Sequence, residues 1–281
     1  MNKNRAVHVV DSSDWRDSVG RLLDAANLLG ALGQRRQVLI KPNLVENLQP
    51  PITTPVGLVE AIVDYLRQRD KKLKIIVGEG TGSRDYDTFH PFRELGYVEM
   101  AVRRGVELLD LNDQPLRTMR RPDCRRWPEM HLPEVLFESF LLSVPVLKAH
   151  SLTMVTLTMK NMMGCAPPCH YEQGGHWKKS AFHENIQEAV FDLNRYRTPD
   201  FTVLDATVGM AEAHLWGPTC QPPPLKLAAS RDPVAIDVYG AGLLGRDWRG
   251  IGHLSMAHGE LGLAEPLELV EVRGKRTQGK V

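Results

Sequence analysis

The sequence predicts an α/β protein: a mostly parallel β-sheet covered by helices on both faces, as one large domain or two intimately packed lobes across residues 1–281. Three observations carry this. Short apolar runs of strand length alternate with segments whose apolar residues recur at helical spacing, and a β–α–β–α–β order is the pattern of parallel strands joined by crossover helices. The runs are apolar throughout, as strands buried on both faces must be. Several of them stop at polar groups: Lys41 and Asn43 after VLI, Glu79 after IIVG, Lys148 and His150 after LLSVPVL, Asp205 after FTVL. Parallel strands that end at one edge bring such groups together, and ligands of open α/β sheets bind at the carboxyl edge.

Taken in order, Ala6–Val10 is a first strand, and Ser12 or Ser13 is placed to cap a helix with Val19, Leu22, Leu23, Ala26 and Leu29 on one face. Gln37–Ile40 is a strand, a loop runs to Thr54, and a helix runs from Pro55 to Arg69. Lys74–Val77 is the next strand, followed by a short helix around Phe92–Leu95 and a strand at Val106–Asp110. Residues 112–130 interrupt the alternation. Leu116–Met130 holds five arginines (117, 120, 121, 125 and 126) and two prolines. A basic lip for an anion is one reading; a solvated excursion is the favoured one for such a charge run. Glu134–Leu147 returns to the sheet. Cys165–Lys179 is rich in Gly, Pro, His and Cys and reads as irregular. His183–Asn194 is an amphipathic helix, Phe201–Leu204 a strand, and Met210–Pro224 a loop. Leu225–Ala229 is a strand, Val234–Leu244 and Gly250–Leu261 are helices, Glu268–Val272 is a last strand, and residues 274–281 form a frayed tail.

Composition narrows the function. Thirty-five Lys and Arg against 34 Asp and Glu give a net charge of +1, so nothing global points to nucleic acid. No apolar stretch reaches the roughly 18–20 residues of a membrane helix, and the N-terminus has no hydrophobic signal core. A cytoplasmic location is expected. The four cysteines read as free thiols or ligands rather than a disulfide framework.

The densest chemistry lies in Leu141–Gly164. A buried apolar run ends at Lys148-Ala149-His150. A Thr/Met/Leu segment of helical length then carries Lys160 and Asn161, and Gly164 closes it as a helix C-terminal glycine would. Two lysines, an imidazole and an amide beside a buried run point to an anion, because a buried cation without one is costly. Lys41, Asn43, Lys148 and Asn161 would hold it. His150 is the best general acid or base, since clustered cations favour its neutral form. Lys160 is a second proton-transfer group or an electrophile on developing negative charge. Glu79, Asp205 and Asp237 are candidates to orient these groups or to hold a divalent metal such as Mg²⁺.

Gly78-Glu79-Gly80-Thr81-Gly82-Ser83 resembles a phosphate-cradling loop but lacks the P-loop lysine; a tight strand-to-loop turn is the alternative. Cys165 and Cys169 with His170 offer metal ligands, though Cys124 and Cys220 are too isolated to complete a second pair. No ferredoxin-type cysteine run is present.

IKPNLV (40–45), VGEGTG (77–82), VPVLKAH (144–150), TLTMKNMMG (156–164), LDATVGM (204–210) and ASRDPVAIDVYGA (229–241) resemble, in this order, the family called domain of unknown function 362. Many members carry an added ferredoxin-like segment, which this chain lacks. An iron–sulfur label therefore does not transfer, and redox chemistry would need a separate redox partner. The chain also departs from the family at Met210–Gly217, usually glycine-rich. More distantly, His150, Lys160 and the later His183 resemble the pattern of nickel-pincer lactate racemases. That resemblance implies an acid/base role for His150, a tether for the pincer nucleotide at Lys160 and a metal ligand at His183. Thr153–Met159 stands where that pattern has a glycine–serine–glycine run. The expected function is an enzyme acting on a small carboxylate or phosphate by isomerase- or lyase-like proton transfer. A nickel-pincer-type racemase or epimerase and a non-catalytic binder of an anionic metabolite are the alternatives.

Overall fold

In the computed structural model, which describes residues 5–12 and 14–273, a ten-stranded mixed sheet forms the centre. The chain opens with β1 (Val7–Asp11), α1 (Trp15–Ala25), α2 (Leu28–Leu32), β2 (Gln37–Pro42), α3 (Val56–Arg69) and β3 (Lys74–Glu79). Next come α4 (Phe89–Glu94), α5 (Tyr97–Arg104), β4 (Glu107–Asp110), β5 (Leu116–Arg120), β6 (Glu129–Pro133) and α6 (Val135–Glu138). The central stretch gives β7 (Phe140–Val144), β8 (Val146–His150), β9 (Met154–Thr156), α7 (Thr158–Asn161) and α8 (Pro168–Tyr171). The chain then forms α9 (Ile186–Tyr196), β10 (Phe201–Met210), β11 (Lys226–Ser230), α10 (Pro233–Leu243), α11 (Gly252–Ala257) and β12 (Leu269–Glu271).

The sheet order is β12-β1-β11-β10-β7-β2-β3-β4, with β8 on β10 and β9 on β8. Strands β10, β7, β2, β3 and β4 run parallel, as the apolar runs predict. β11 is antiparallel to both β1 and β10, so β1 points the same way as the parallel array and is separated from it by one reversed strand. Strand periodicity divides the core. Val38, Ile40, Ile75, Val77, Phe140 and Leu142 face one way, onto α1, α3 and α5. Leu39, Ile76 and Leu141 face the other way, with Ala189 and Leu193 of α9. A one-residue slip would exchange these faces, so burial on both sides fixes the register. A third cluster joins Leu204 and Ala206 of β10 to α10.

Several expectations need correction. The run 141–147 is two strands, split at Pro145, which cannot donate to a ladder. Lys148 and His150 therefore lie within β8 rather than after it. The segment 151–164 is not one helix: a short antiparallel return, β9, precedes the single turn α7. Asp14, not Ser12, caps α1 by accepting the Arg16 N–H; Ser13 lies outside the described residues. The helix of Tyr97–Arg104 went unpredicted. Residues 112–130 are no loose excursion, because β5 and β6 pair as an antiparallel ribbon. Its arginines are engaged locally: Arg120 with Glu129, Arg126 with Glu184, Arg125 with Glu188, Arg121 with the Arg195 carbonyl, and Arg117 over Phe137. This is a paired surface, not a basic lip. The tail at 274–281 lies outside the described residues.

Candidate functional site

The floor of the site comes from the ends of β2 and β3. Lys41 Nζ donates to Glu79 Oε1 at 2.7 Å, to Asn161 Oδ1 at 3.2 Å and to the Pro42 carbonyl at 3.0 Å. Glu79 also accepts the Leu44 N–H on Oε2 and the Gly80 N–H on Oε1. Lys41 is 0% exposed and Glu79 2%. All three Lys41 donors are used and its charge is met. Lys41 is therefore a structural cation, not a free anion holder. Asn161 is committed too: it accepts from Lys41 and Asn43 Nδ2 and donates to Ser143 Oγ.

Gly164 sits directly on this ion pair. A Cβ there would lie 2.1 Å from Glu79 Oε1 and 2.5 Å from Lys41 Nζ. Its glycine is demanded by close approach and not by a helix C-terminus. Gly80 is similar, since a Cβ would meet the Gly164 carbonyl at 2.4 Å. The N–H groups of Gly80, Thr81 and Gly82 go to Glu79 Oε1, Thr88 Oγ1 and the Val45 carbonyl. With those donors spent, the glycine-rich loop is a packed turn and not a phosphate cradle.

Above the floor opens a cavity of about 480 Å³. Its wall includes Lys41, Asn43, Glu79, Gly80, Lys148, His150, Lys160, Asn161 and His183. Asp205 and Asp237 are not on it. Asp205 accepts from the Thr207 N–H and hydroxyl. Asp237, on α10, accepts the Thr158 and Met159 N–H groups at 2.8 Å each, one per carboxylate oxygen. It caps from outside the single turn that presents Lys160. Burial pushes its carboxyl up to about 7, against the pull of those N–H donors. Asp237→Asn puts an amide N–H against one of those N–H groups. It should lower stability by about 1–3 kcal/mol. A thermal melt at pH 8 with no loss of Tm would count against this positioning role.

The unmet cations stand on β8 and α7. Lys148, 1% exposed, donates to Asn43 Oδ1 at 3.1 Å and to the Ile52 carbonyl at 2.7 Å, leaving one N–H. Burial, then the Lys160 charge, brings its ammonium down to about 7. The Lys160 ammonium has no hydrogen-bond or ion-pair partner among the described residues, and burial brings it down to about 8. His150 Nδ1 accepts the Leu152 and Thr153 N–H groups at 3.1 and 3.3 Å. Those donors assign the ring proton to Nε2. Burial, with Lys160 next, lowers its pKa to about 2. His150 is thus a neutral Nε2–H donor, and its base position is occupied. Of the expected acid/base roles, this arrangement presents the Nε2–H to the cavity and turns the lone pair on Nδ1 toward the backbone.

Three wall residues escaped the sequence reading. His214 lies against His150, ring centroids 4.1 Å apart, and burial lowers it to about 4. It sits in the loop after β10, where no periodic signal marks it. Trp177 follows two left-handed glycines, Gly174 and Gly175. Lys179, 5% exposed, donates to Asn112 Oδ1 at 2.6 Å and to the Gly164 and Ala166 carbonyls.

The family described as Domain of unknown function (DUF362) matches residues 38–242. The chain belongs to that family. No curated protein matches. Among solved structures, the lactate racemase apoprotein from Thermoanaerobacterium thermosaccharolyticum is similar at 11% identity, with a TM-score of 0.47 over 73% of this chain and 51% of that one. The DUF362 chain thus spans about half the length of that protein.

Among the described residues no group of three or more His, Cys, Asp or Glu is placed to hold a metal ion. His150 would have to surrender its two backbone donors to move its proton off Nε2 and ligate there. Cys165 is buried, with its thiol pushed up to about 11 by burial, whereas Cys169 is exposed. No described helix is long and apolar enough to cross a membrane.

Proposed function

We propose that this DUF362 protein is an enzyme acting on a small carboxylate- or phosphate-bearing molecule, held over the sheet's carboxyl edge by Lys148, Lys160 and the His150 Nε2–H. One observation carries the reading: Lys160 stands on the cavity wall with no acceptor for its ammonium among the described residues. A half-buried ammonium that lines a cavity beside other lysines favours an anion there. An amine near 8 exchanges protons readily at neutral pH. We therefore assign Lys160 the proton-transfer role and His150 the role of donor to a ligand oxygen. Asn43, Asn161 and the Lys41–Glu79 pair hold that geometry.

The non-catalytic reading, a binder of an anionic metabolite, is favoured by the His150 tautomer, which removes the imidazole as a base. Both readings require the anion site. Inorganic phosphate should raise the Tm of the wild-type protein and lose most of that effect in Lys160→Met, with affinity down about 10–100-fold. Equal stabilisation of both proteins would remove Lys160 from the site. For the catalytic step, wash-in of solvent deuterium at C3 of pyruvate, read by NMR, should exceed the buffer rate and return to it in Lys160→Met. Phosphate binding without wash-in would move the reading toward the binder.

A further inference from the structure

Four lysines reach the cavity wall, Lys41, Lys148, Lys160 and Lys179, and Glu79 is the one carboxylate there among the described residues. Glu79 is committed to Lys41 at 2.7 Å. Lys179 and Lys148 are solvated by neutral oxygens of amides and carbonyls. Neutral acceptors satisfy N–H groups but cancel no charge. Beyond the ion pair the wall therefore holds three amines that can each take up a proton when an anion arrives.

The unused donors are also grouped. Lys148 in β8 lies directly opposite Thr156 in β9. The Thr156 hydroxyl is buried, lines the cavity and has no hydrogen-bond partner. Lys160 follows on α7, four residues after Thr156. Three neighbouring elements thus aim one free ammonium N–H, one free hydroxyl and one wholly free ammonium at the same space. One carboxylate would bring a single charge and leave an ammonium unmatched.

Resting on the anion-site reading above, we propose that the ligand is a dianion of the phosphate monoester class. Its terminal oxygens take Lys148, Thr156 and Lys160, and its organic part lies along Trp177 and Leu215. Phosphate monoesters lose their second proton near pH 6, so at pH 7.5 they carry about two charges.

The test is calorimetric titration of the full chain at pH 7.5 and fixed ionic strength with phenyl phosphate, its monomethyl ester and benzoate. The ester keeps the shape and loses one charge. Phenyl phosphate should bind at least about 30-fold more tightly than either monoanion, as expected for one further charge-assisted contact. Lys160→Met and Lys160→Gln should bring it down to the ester's affinity. Equal binding of phosphate and ester, with both weakened in the Lys160 variants, would overturn the dianion inference and leave the anion site standing. Failure of all three probes to bind would overturn both.

Discussion

Lys41→Met is expected to lower the stability of the protein by about 3–5 kcal/mol, the cost of stranding one member of a buried ion pair. For a chain of this size that is a fall in Tm of roughly 10 °C. The cause is what remains behind. Glu79 keeps its Leu44 and Gly80 N–H donors but loses the only cation within hydrogen-bond reach among the described residues, at 2.7 Å, in a position 2% exposed. Asn161 loses a donor at the same time. Adding Glu79→Gln to Lys41→Met should restore part of the loss, since it removes the stranded charge. Thermal melts of the two single variants and the double give the coupling directly. If Lys41→Met melted within about 3 °C of wild type but no longer bound phosphate, Lys41 would be a ligand group and not the cation of a structural ion pair.

That distinction marks where the sequence stops being legible. The parallel core could be read because strands buried on both faces leave unbroken apolar runs, as in VLI and IIV. The gathering of Lys41, Glu79, Lys148 and His150 at one edge followed from where those runs end. What could not be read was how the polar groups divide among themselves. Lys41 and Lys148 look alike in sequence, each at the end of an apolar run. Pairing with Glu79, 38 residues away, makes one structural, and the lack of a carboxylate partner among the described residues leaves the other available. The tautomer of His150 depends on two backbone N–H groups placed by the turn into β9, which was read as helix. Gly164 was read from its position after a helix-like segment. Its actual cause is a contact with side chains more than 80 residues away. Asp237 reads in sequence as a site residue and instead serves the site from behind, a role no local pattern reports.

Sulfate affinity should fall by about 100-fold or more between pH 6.5 and 9, while the ligand-free protein becomes more stable between pH 7 and 8.5. Sulfate stays fully ionised throughout, so the change belongs to the protein. Burial brings Lys148 to about 7, Lys179 to about 7 and Lys160 to about 8. At pH 9 an amine of pKa 7 is charged about one part in a hundred, and one of pKa 8 about one part in ten. Binding must then recruit protons against the bulk pH. The stability slope has the other sign. In the unfolded chain a lysine holds its proton to about pH 10.5, so above pH 7 the unfolded state binds more protons and stability rises with pH. Below pH 7 both states are charged, and the burial cost is felt in full. Two kinds of group oppose this rise within the window, the Asp237 carboxyl near 7 at its lower edge and the buried Cys165 thiol as the unfolded thiol ionises near its top, and three lysines outweigh them. His150 and His214, lowered to about 2 and 4, are neutral across the whole range and contribute donors without pH dependence. Opposite slopes, read from titrations and melts of the same samples, assign the cations of this site to lysine. An affinity that instead dropped between pH 5.5 and 7 and then stayed flat would assign them to imidazolium, and the neutral Nε2–H donor at His150 would have to be abandoned.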